Sequence, residues 1–166
     1  MPLKLSRTLL FAAAFALATS MAVRADSPVT PGAELAKLQQ IVTNLGYTTT
    51  WSPDKQHFYF DYPSSNYTYR IDMAISTNGD LIYAYNYIDT FDAGQVAKMP
   101  YVKMLEFQNT GNVFFSLDNT GKGEDLYANE IFGTAGVSPV IVRTQLQGLV
   151  NALDSTDALW NTKLWK

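Results

Sequence analysis

The run HFYFDYPSSNYTYRIDMAISTNGDLIYAYNYI (residues 57–88) carries the architecture of the chain. Its apolar and polar residues alternate, the period of a strand with one buried face. The alternation predicts strands at His57–Tyr62, Tyr67–Ser76 and Leu81–Ile88, broken at Pro63-Ser64-Ser65-Asn66 and at Asn78-Gly79. Asn-Gly between alternating runs is the strongest short signal for a two-residue hairpin turn. With Thr77 and Asp80 flanking that turn, Ala74 falls opposite Tyr83, Asp72 opposite Tyr85 and Arg70 opposite Tyr87. With Tyr62 and Tyr67 flanking the other, Tyr59 falls opposite Arg70 and His57 opposite Asp72. Residues directly across a ladder share a face. One face therefore collects Phe58, Phe60, Tyr62, Tyr67, Tyr69, Ile71, Met73, Ile75, Ile82, Ala84 and Ile88, the expected core. The other collects His57, Tyr59, Asp61, Arg70, Asp72, Tyr83, Tyr85 and Tyr87, with Arg70 between two tyrosine rings.

Outward from this sheet, helical spacing takes over. Leu35, Leu38, Val42 and Leu45 lie on one face of a helix predicted from Pro31 to Leu45, opened by Thr30-Pro31 and closed by Gly46. Tyr47–Trp51 reads as a short strand ended by Ser52-Pro53-Asp54. Asp89–Lys98 reads as a polar connection. Pro100 starts a short helix that runs through Leu105 to Gln108 and stops at Asn109-Thr110-Gly111. Strands follow at Asn112–Asp118 and Asp125–Phe132. Ser138-Pro139 then opens a helix with the stripe Val142, Leu146, Leu149 and Leu153. Trp160 is expected to cap the core and Trp165 to be free. The order predicts an α+β fold, an antiparallel sheet of five or six strands with helices on one face.

The N-terminus reads as a secretory signal. Lys4 and Arg7 form a positive start, Leu9–Val23 an apolar core, and Val23-Arg24-Ala25 a small-residue cleavage site. Residues 1–25 are therefore expected to be a signal peptide, 26–33 a mobile lead-in and 34–166 a single α+β domain that is exported, periplasmic or secreted. Stable membrane anchoring is not expected after cleavage. Removing Lys4, Arg7 and Arg24 from a formal charge of −3 leaves −6. So acidic a chain, without a basic run, makes a poor ligand for nucleic acid. It has no cysteine, so no disulfide holds the fold.

Chemistry-bearing motifs are sparse. One histidine and no cysteine argue against zinc, iron–sulfur and haem sites, so neither metal nor cofactor is expected. Asp118–Lys122 has some likeness to a calcium loop, but Lys122 holds its fifth position and Asn129 its twelfth. That segment reads as a hairpin loop. Asn66-Tyr67-Thr68 matches a glycosylation acceptor at a strand start, where the match is incidental. His57 facing Asp72 has the form of an oriented general base, yet no Gly-x-Ser-x-Gly elbow accompanies it. No catalytic residue is assigned, and a hydrolase is the least favoured reading. The tyrosine-rich face (His57, Tyr59, Arg70, Asp72, Tyr83, Tyr85 and Tyr87) is instead the expected binding surface, since Tyr and Arg are enriched in interface cores. A partner protein or a second copy would occupy it, or would use the Trp160–Trp165 tail; a glycan stacked on the tyrosines is the alternative.

Residues in the C-terminal half carry a resemblance. Leu105, Asn109, Phe114-Phe115-Ser116-Leu117-Asp118, Leu126-Tyr127, Val137-Ser138-Pro139, Leu146, Leu149, Leu153 and Asp157-Ala158-Leu159-Trp160 follow one another in an order that resembles the type III secretion chaperone-like family. The likeness is to its YbjN-type sensory-transduction regulator branch, whose central hairpin Ser76-Thr77-Asn78-Gly79-Asp80-Leu81 also resembles. It spans roughly Thr77 to Trp160. The resemblance implies a helix–strands–helix–strands–helix sandwich whose members bind other proteins and often pair as dimers. It supplies no catalytic residues. This chain departs from secretion chaperones in its export signal, so the fold and the binding habit are what carry over.

Overall fold

The computed structural model describes residues 32–108 and 112–165. The signal peptide, the Thr30-Pro31 helix start and the Asn109-Thr110-Gly111 stop lie outside the described residues, as does most of the lead-in. Six strands form one antiparallel sheet in the order β1-β2-β3-β4-β6-β5. They are β1 (Thr50–Trp51), β2 (His57–Pro63), β3 (Thr68–Ile75), β4 (Leu81–Phe91), β5 (Val113–Asn119) and β6 (Glu124–Gly133). Helices α1 (Ala33–Asn44), α2 (Ala93–Val96), α3 (Tyr101–Gln108), α4 (Pro139–Ser155) and α5 (Asp157–Trp160) complete the α+β order, followed by a 3-10 turn at Thr162–Leu164.

The expected helical stripes lie in the core. Leu35, Leu38 and Val42 of α1 are buried, as are Val142, Leu146, Leu149 and Leu153 of α4. Ser138 caps α4 by accepting a hydrogen bond from the Ile141 amide at 3.3 Å, with Pro139 at the first helical position. Gly46 closes α1 at φ +102°, a backbone conformation that suits glycine. Across from these helices stand Phe58, Phe60, Ile71, Met73, Ile82 and Ala84, all buried. Tyrosine hydroxyls tie the two layers together. Tyr62 donates to Gln147 Oε1 at 2.8 Å, and Tyr69 donates to Asp154 Oδ1 at 2.7 Å.

The registers differ from expectation in instructive ways. Ile75 pairs with Ile82, and the Ser76 amide donates to the Leu81 carbonyl, so a four-residue loop (77–80) replaces the two-residue turn. Gly79 alone takes the positive φ there, whereas a two-residue type I′ turn would demand it of Asn78 as well. The strand pairing is nonetheless the expected one, Asp72 with Tyr85 and Ala74 with Tyr83. In the other hairpin Pro63 pairs with Thr68, so the register slips by two: Tyr59 pairs with Asp72, Asp61 with Arg70 and His57 with Ala74. The side chain of Ser64 closes this turn by accepting from the Tyr67 amide at 3.0 Å, which moves Tyr67 out of the strand and into the loop. A slip of two keeps every side chain on its face.

Asp89–Lys98 is not simply a connection. Register shifts between Tyr87 and Asp89, a bulge after which Phe91 lies on the helix-covered face and is buried. Asp92 and Gln95 then form a capping box for α2. Trp165 is not free either: its ring stacks on Phe91 with centroids 5.8 Å apart.

Candidate functional site

Helices α1, α3 and α4 make their contacts with one face of the sheet, through residues such as Leu38, Phe107 on Phe115, and Leu149, while Trp160 of α5 packs on Tyr67 in the loop before β3. The opposite face carries the residues singled out above, and alternation along β2, β3 and β4 brings them together. At its centre is Asp72, which is buried with 5% of its surface exposed. Arg70, two residues away on the same side of β3, donates from Nε to Asp72 Oδ2 and from Nη2 to Oδ1, each at 3.1 Å. His57 Nε2 lies 3.4 Å from Oδ1. The guanidinium carbon of Arg70 stands 3.7 Å from the centroid of the Tyr59 ring, a cation–π stack.

Arg70 stacks on Tyr59 but not on Tyr87. The β3–β4 ladder ends at Asp72 and Tyr85, because the Asn86 side chain, buried on the core side, donates to the Arg70 carbonyl at 2.8 Å. Tyr87, 44% exposed, packs edge-on against Tyr127 of β6 at 5.7 Å, and Tyr85 does so at 6.2 Å. Burial, aided by the Asp72 charge, pushes the Tyr85 phenol up to about 12, so this hydroxyl is a neutral hydrogen-bond donor at any physiological pH. Tyr83 is half-buried opposite Ile131.

The β6 residues of this face escaped the sequence reading: Tyr127, Asn129 and Ile131, which pair with Tyr87, Tyr85 and Tyr83. Their alternation with Leu126, Ala128 and Glu130 is legible in the sequence. The position of β6 beside β4 is not, since no turn joins the two strands. Asn129 donates to Ser116 Oγ on β5 at 2.8 Å, which extends the face to the sheet edge.

Chemically the cluster is suited to contact. Arg70, always cationic, engages both oxygens of Asp72 and already balances the charge that would orient a histidine base. Among the described residues no group of three or more His, Asp or Glu side chains could hold a metal ion, and no helix is long and apolar enough to cross a membrane. The segment with a likeness to a calcium loop is a hairpin, in which Asn119 pairs with Glu124 and accepts from the Gly121 amide at 3.0 Å.

No family model matches the chain, and no curated protein matches it. Solved structures do. YbjN from E. coli superposes with a TM-score of 0.56 at 15% identity, over 80% of this chain and 95% of its own. An uncharacterized protein from Methanothermobacter thermautotrophicus gives 0.53 at 15% identity, over 79% and 99%. A chain of the HopA1-SchA chaperone-effector complex gives 0.50 at 11% identity, over 74% and 93%. The chain therefore shares the fold of YbjN and of this chaperone-effector structure, over more of its length than the resemblance in its C-terminal half covers.

Proposed function

We propose that this protein is a non-enzymatic binding module that holds another protein against the tyrosine-rich face of its sheet. The observation that carries the reading is the patch formed by Tyr83, Tyr85, Tyr87 and Tyr127, open on the side away from the helices and flanked by the Arg70–Asp72 pair. Rigid rings with polar tips supply contact area at little conformational cost, which suits a surface built for a protein partner. A fold shared with a chaperone-effector structure agrees with a protein partner rather than a small ligand. The glycan reading has less behind it, because Arg70 covers the ring face of Tyr59 and the Tyr85 and Tyr87 rings are engaged with Tyr127. A hydrolase is disfavoured by the occupied carboxylate of Asp72. Lys4, Arg7 and the small residues around Ala25 support export through a cleaved signal, so the partner is sought outside the cytoplasm.

Crosslinking in the native envelope, paired with light scattering on residues 26–166, tests the proposal. Changing Tyr85 and Tyr87 to Ser is expected to abolish the crosslinked adduct, or the dimer if a second copy is the partner, while thermal unfolding remains cooperative. An adduct that survives in both the double variant and Tyr87→Ser overturns it.

A further inference from the structure

Strand β6 carries a charge where its neighbours carry methyl groups. Glu130 shares the helix-covered face with Leu126 and Ala128, and it pairs with Ala84 of β4 and Val113 of β5. It is only 3% exposed, and its Oε2 has no hydrogen-bond partner among the described residues. Native proteins seldom leave a buried polar atom unsatisfied, and such an atom calls for an explanation. Directly above it, α4 carries a glycine within its 17 residues, a position that lowers helix propensity. A Cβ on Gly148 would stand 3.2 Å from Glu130 Oε2. That is tighter than an ordinary contact, so the missing side chain is what lets the carboxylate lie close against the helix.

Glu130 and Gly148 both line a groove of about 520 Å³ between the end of α3, the start of β5 and α4. Val113, Phe107 and Ala152 give it apolar walls, while Thr144, Asn151 and Ser155 are among its neutral hydrogen-bonding groups. Among the described residues that line it there is no basic side chain, and Glu130 is the one charge.

We propose that this groove binds a primary ammonium group on a short aliphatic stem, with the Glu130 carboxylate as its counter-ion. A carboxylate accepts hydrogen bonds and cannot donate them, so the complementary group is a donor, and a charged donor gains most in a desolvated setting. The apolar walls suit methylenes, and hydroxyl and amide oxygens at the rim can accept the remaining ammonium hydrogens. An anionic ligand would meet a like charge. Burial raises the Glu130 carboxyl from 4.5 to about 7, so a nearby cation would also relieve an unfavourable ionisation. This site is independent of the tyrosine face, which lies on the other side of the sheet.

NMR titration of the 15N-labelled chain (residues 26–166) with n-butylammonium at about pH 8, where the carboxyl is ionised, tests the proposal. Saturable shifts of the Val113, Gly148 and Ala152 amides are expected, with n-butanol and butyrate giving none. Glu130→Gln is expected to weaken binding about tenfold, through loss of the charge-assisted bond. Gly148→Ala, which keeps the charge and fills the space above it, should weaken binding too and serves if the Gln variant does not fold. Nα-acetyl-lysine amide binding more tightly than n-butylammonium identifies a peptide lysine as the ligand; the reverse order identifies a free amine. Absent shifts with both ammonium compounds, equal shifts with n-butanol, or binding unaffected by either variant overturns the proposal.

Discussion

Arg70 and Asp72 stand two residues apart on β3 and are joined by two hydrogen bonds of 3.1 Å, although one is largely exposed and the other is not. The Arg70 side chain retains 54% of its surface and that of Asp72 only 8%. This asymmetry determines which partner is the costlier to remove. Arg70→Ala leaves a buried carboxylate short of its main donor and is expected to cost about 2 kcal/mol. Asp72→Ala leaves a guanidinium that water can solvate, and should cost nearer 1 kcal/mol by the same reasoning. Urea unfolding of the two variants checks the order; a larger loss for Asp72→Ala would refute it.

The tyrosine clamp on α4 yields a second expectation. Asp154 Oδ1 accepts from Tyr69 Oη at 2.7 Å and from Ser64 Oγ at 3.0 Å, which fixes the turn after β2 against the helix. Tyr69→Phe removes one donor and keeps the ring, so it should cost about 1 kcal/mol. Asp154→Ala strands the Tyr69 hydroxyl and leaves Ser64 only its bond to the Tyr67 carbonyl, at 3.1 Å, so it should cost roughly 2 kcal/mol. Equal losses in thermal unfolding would mean that the Ser64 bond contributes nothing.

Sequence reading carried the sheet face and the β3–β4 pairing, but not the pairing of β2 with β3. Alternation assigns Ile71 and Met73 inward and Arg70 outward whichever turn residues close the hairpin, because a slip of two leaves the face unchanged. What it could not fix was the partner of each β2 residue: the Ser64 side chain bonds to the Tyr67 amide, and His57 pairs with Ala74 instead of Asp72. The approach of His57 Nε2 to Asp72 at 3.4 Å survives as a diagonal contact. Phe91 was missed because a bulge after Tyr87 reverses the alternation on which the reading relied. Tyr127 was missed for a topological reason, since β6 reaches β4 only after β5 has been laid at the edge. Glu130 stood at an inward position in plain view, yet alternation alone does not distinguish a buried charge from a strand that ends early.

Tyr127 tests whether the proposed binding face extends beyond the residues that the turns assign. Its ring sits between those of Tyr85 and Tyr87, at 6.2 and 5.7 Å, so it holds both in place as well as offering its own surface. Tyr127→Ala is expected to lower partner crosslinking as much as Tyr87→Ser does, and to cost about 1 kcal/mol of stability through the lost aromatic pairs. Crosslinking at the level of the unaltered chain would confine the face to β2, β3 and β4.

Glu130 and Gly148 give a prediction in which the sign of the pH effect identifies the group. The folded chain holds the Glu130 proton up to about pH 7, while the unfolded chain releases it near the ordinary 4.5. Between those values the folded state binds a proton that the unfolded state does not, so stability falls as pH rises through the window. The contribution is intact below 4.5 and fully lost above 7, where ionisation of the buried group costs up to about 3 kcal/mol. Glu130→Gln cannot ionise. It should therefore be more stable than the unaltered chain above pH 7, and the gap should close as the pH falls towards 4.5. Taking the difference between the two proteins cancels the other carboxylates, which titrate in both. Gly148→Ala adds a second dimension. In an ordinary helix interior the change stabilises by about 1 kcal/mol, but here the new Cβ meets Oε2 at 3.2 Å and the gain should vanish. In a Glu130→Ala background the space is empty and the gain of about 1 kcal/mol should return. Parallel stability curves for the Glu and Gln proteins, or the same Gly148→Ala effect in both backgrounds, would show that the carboxylate does not lie unpartnered beneath the helix.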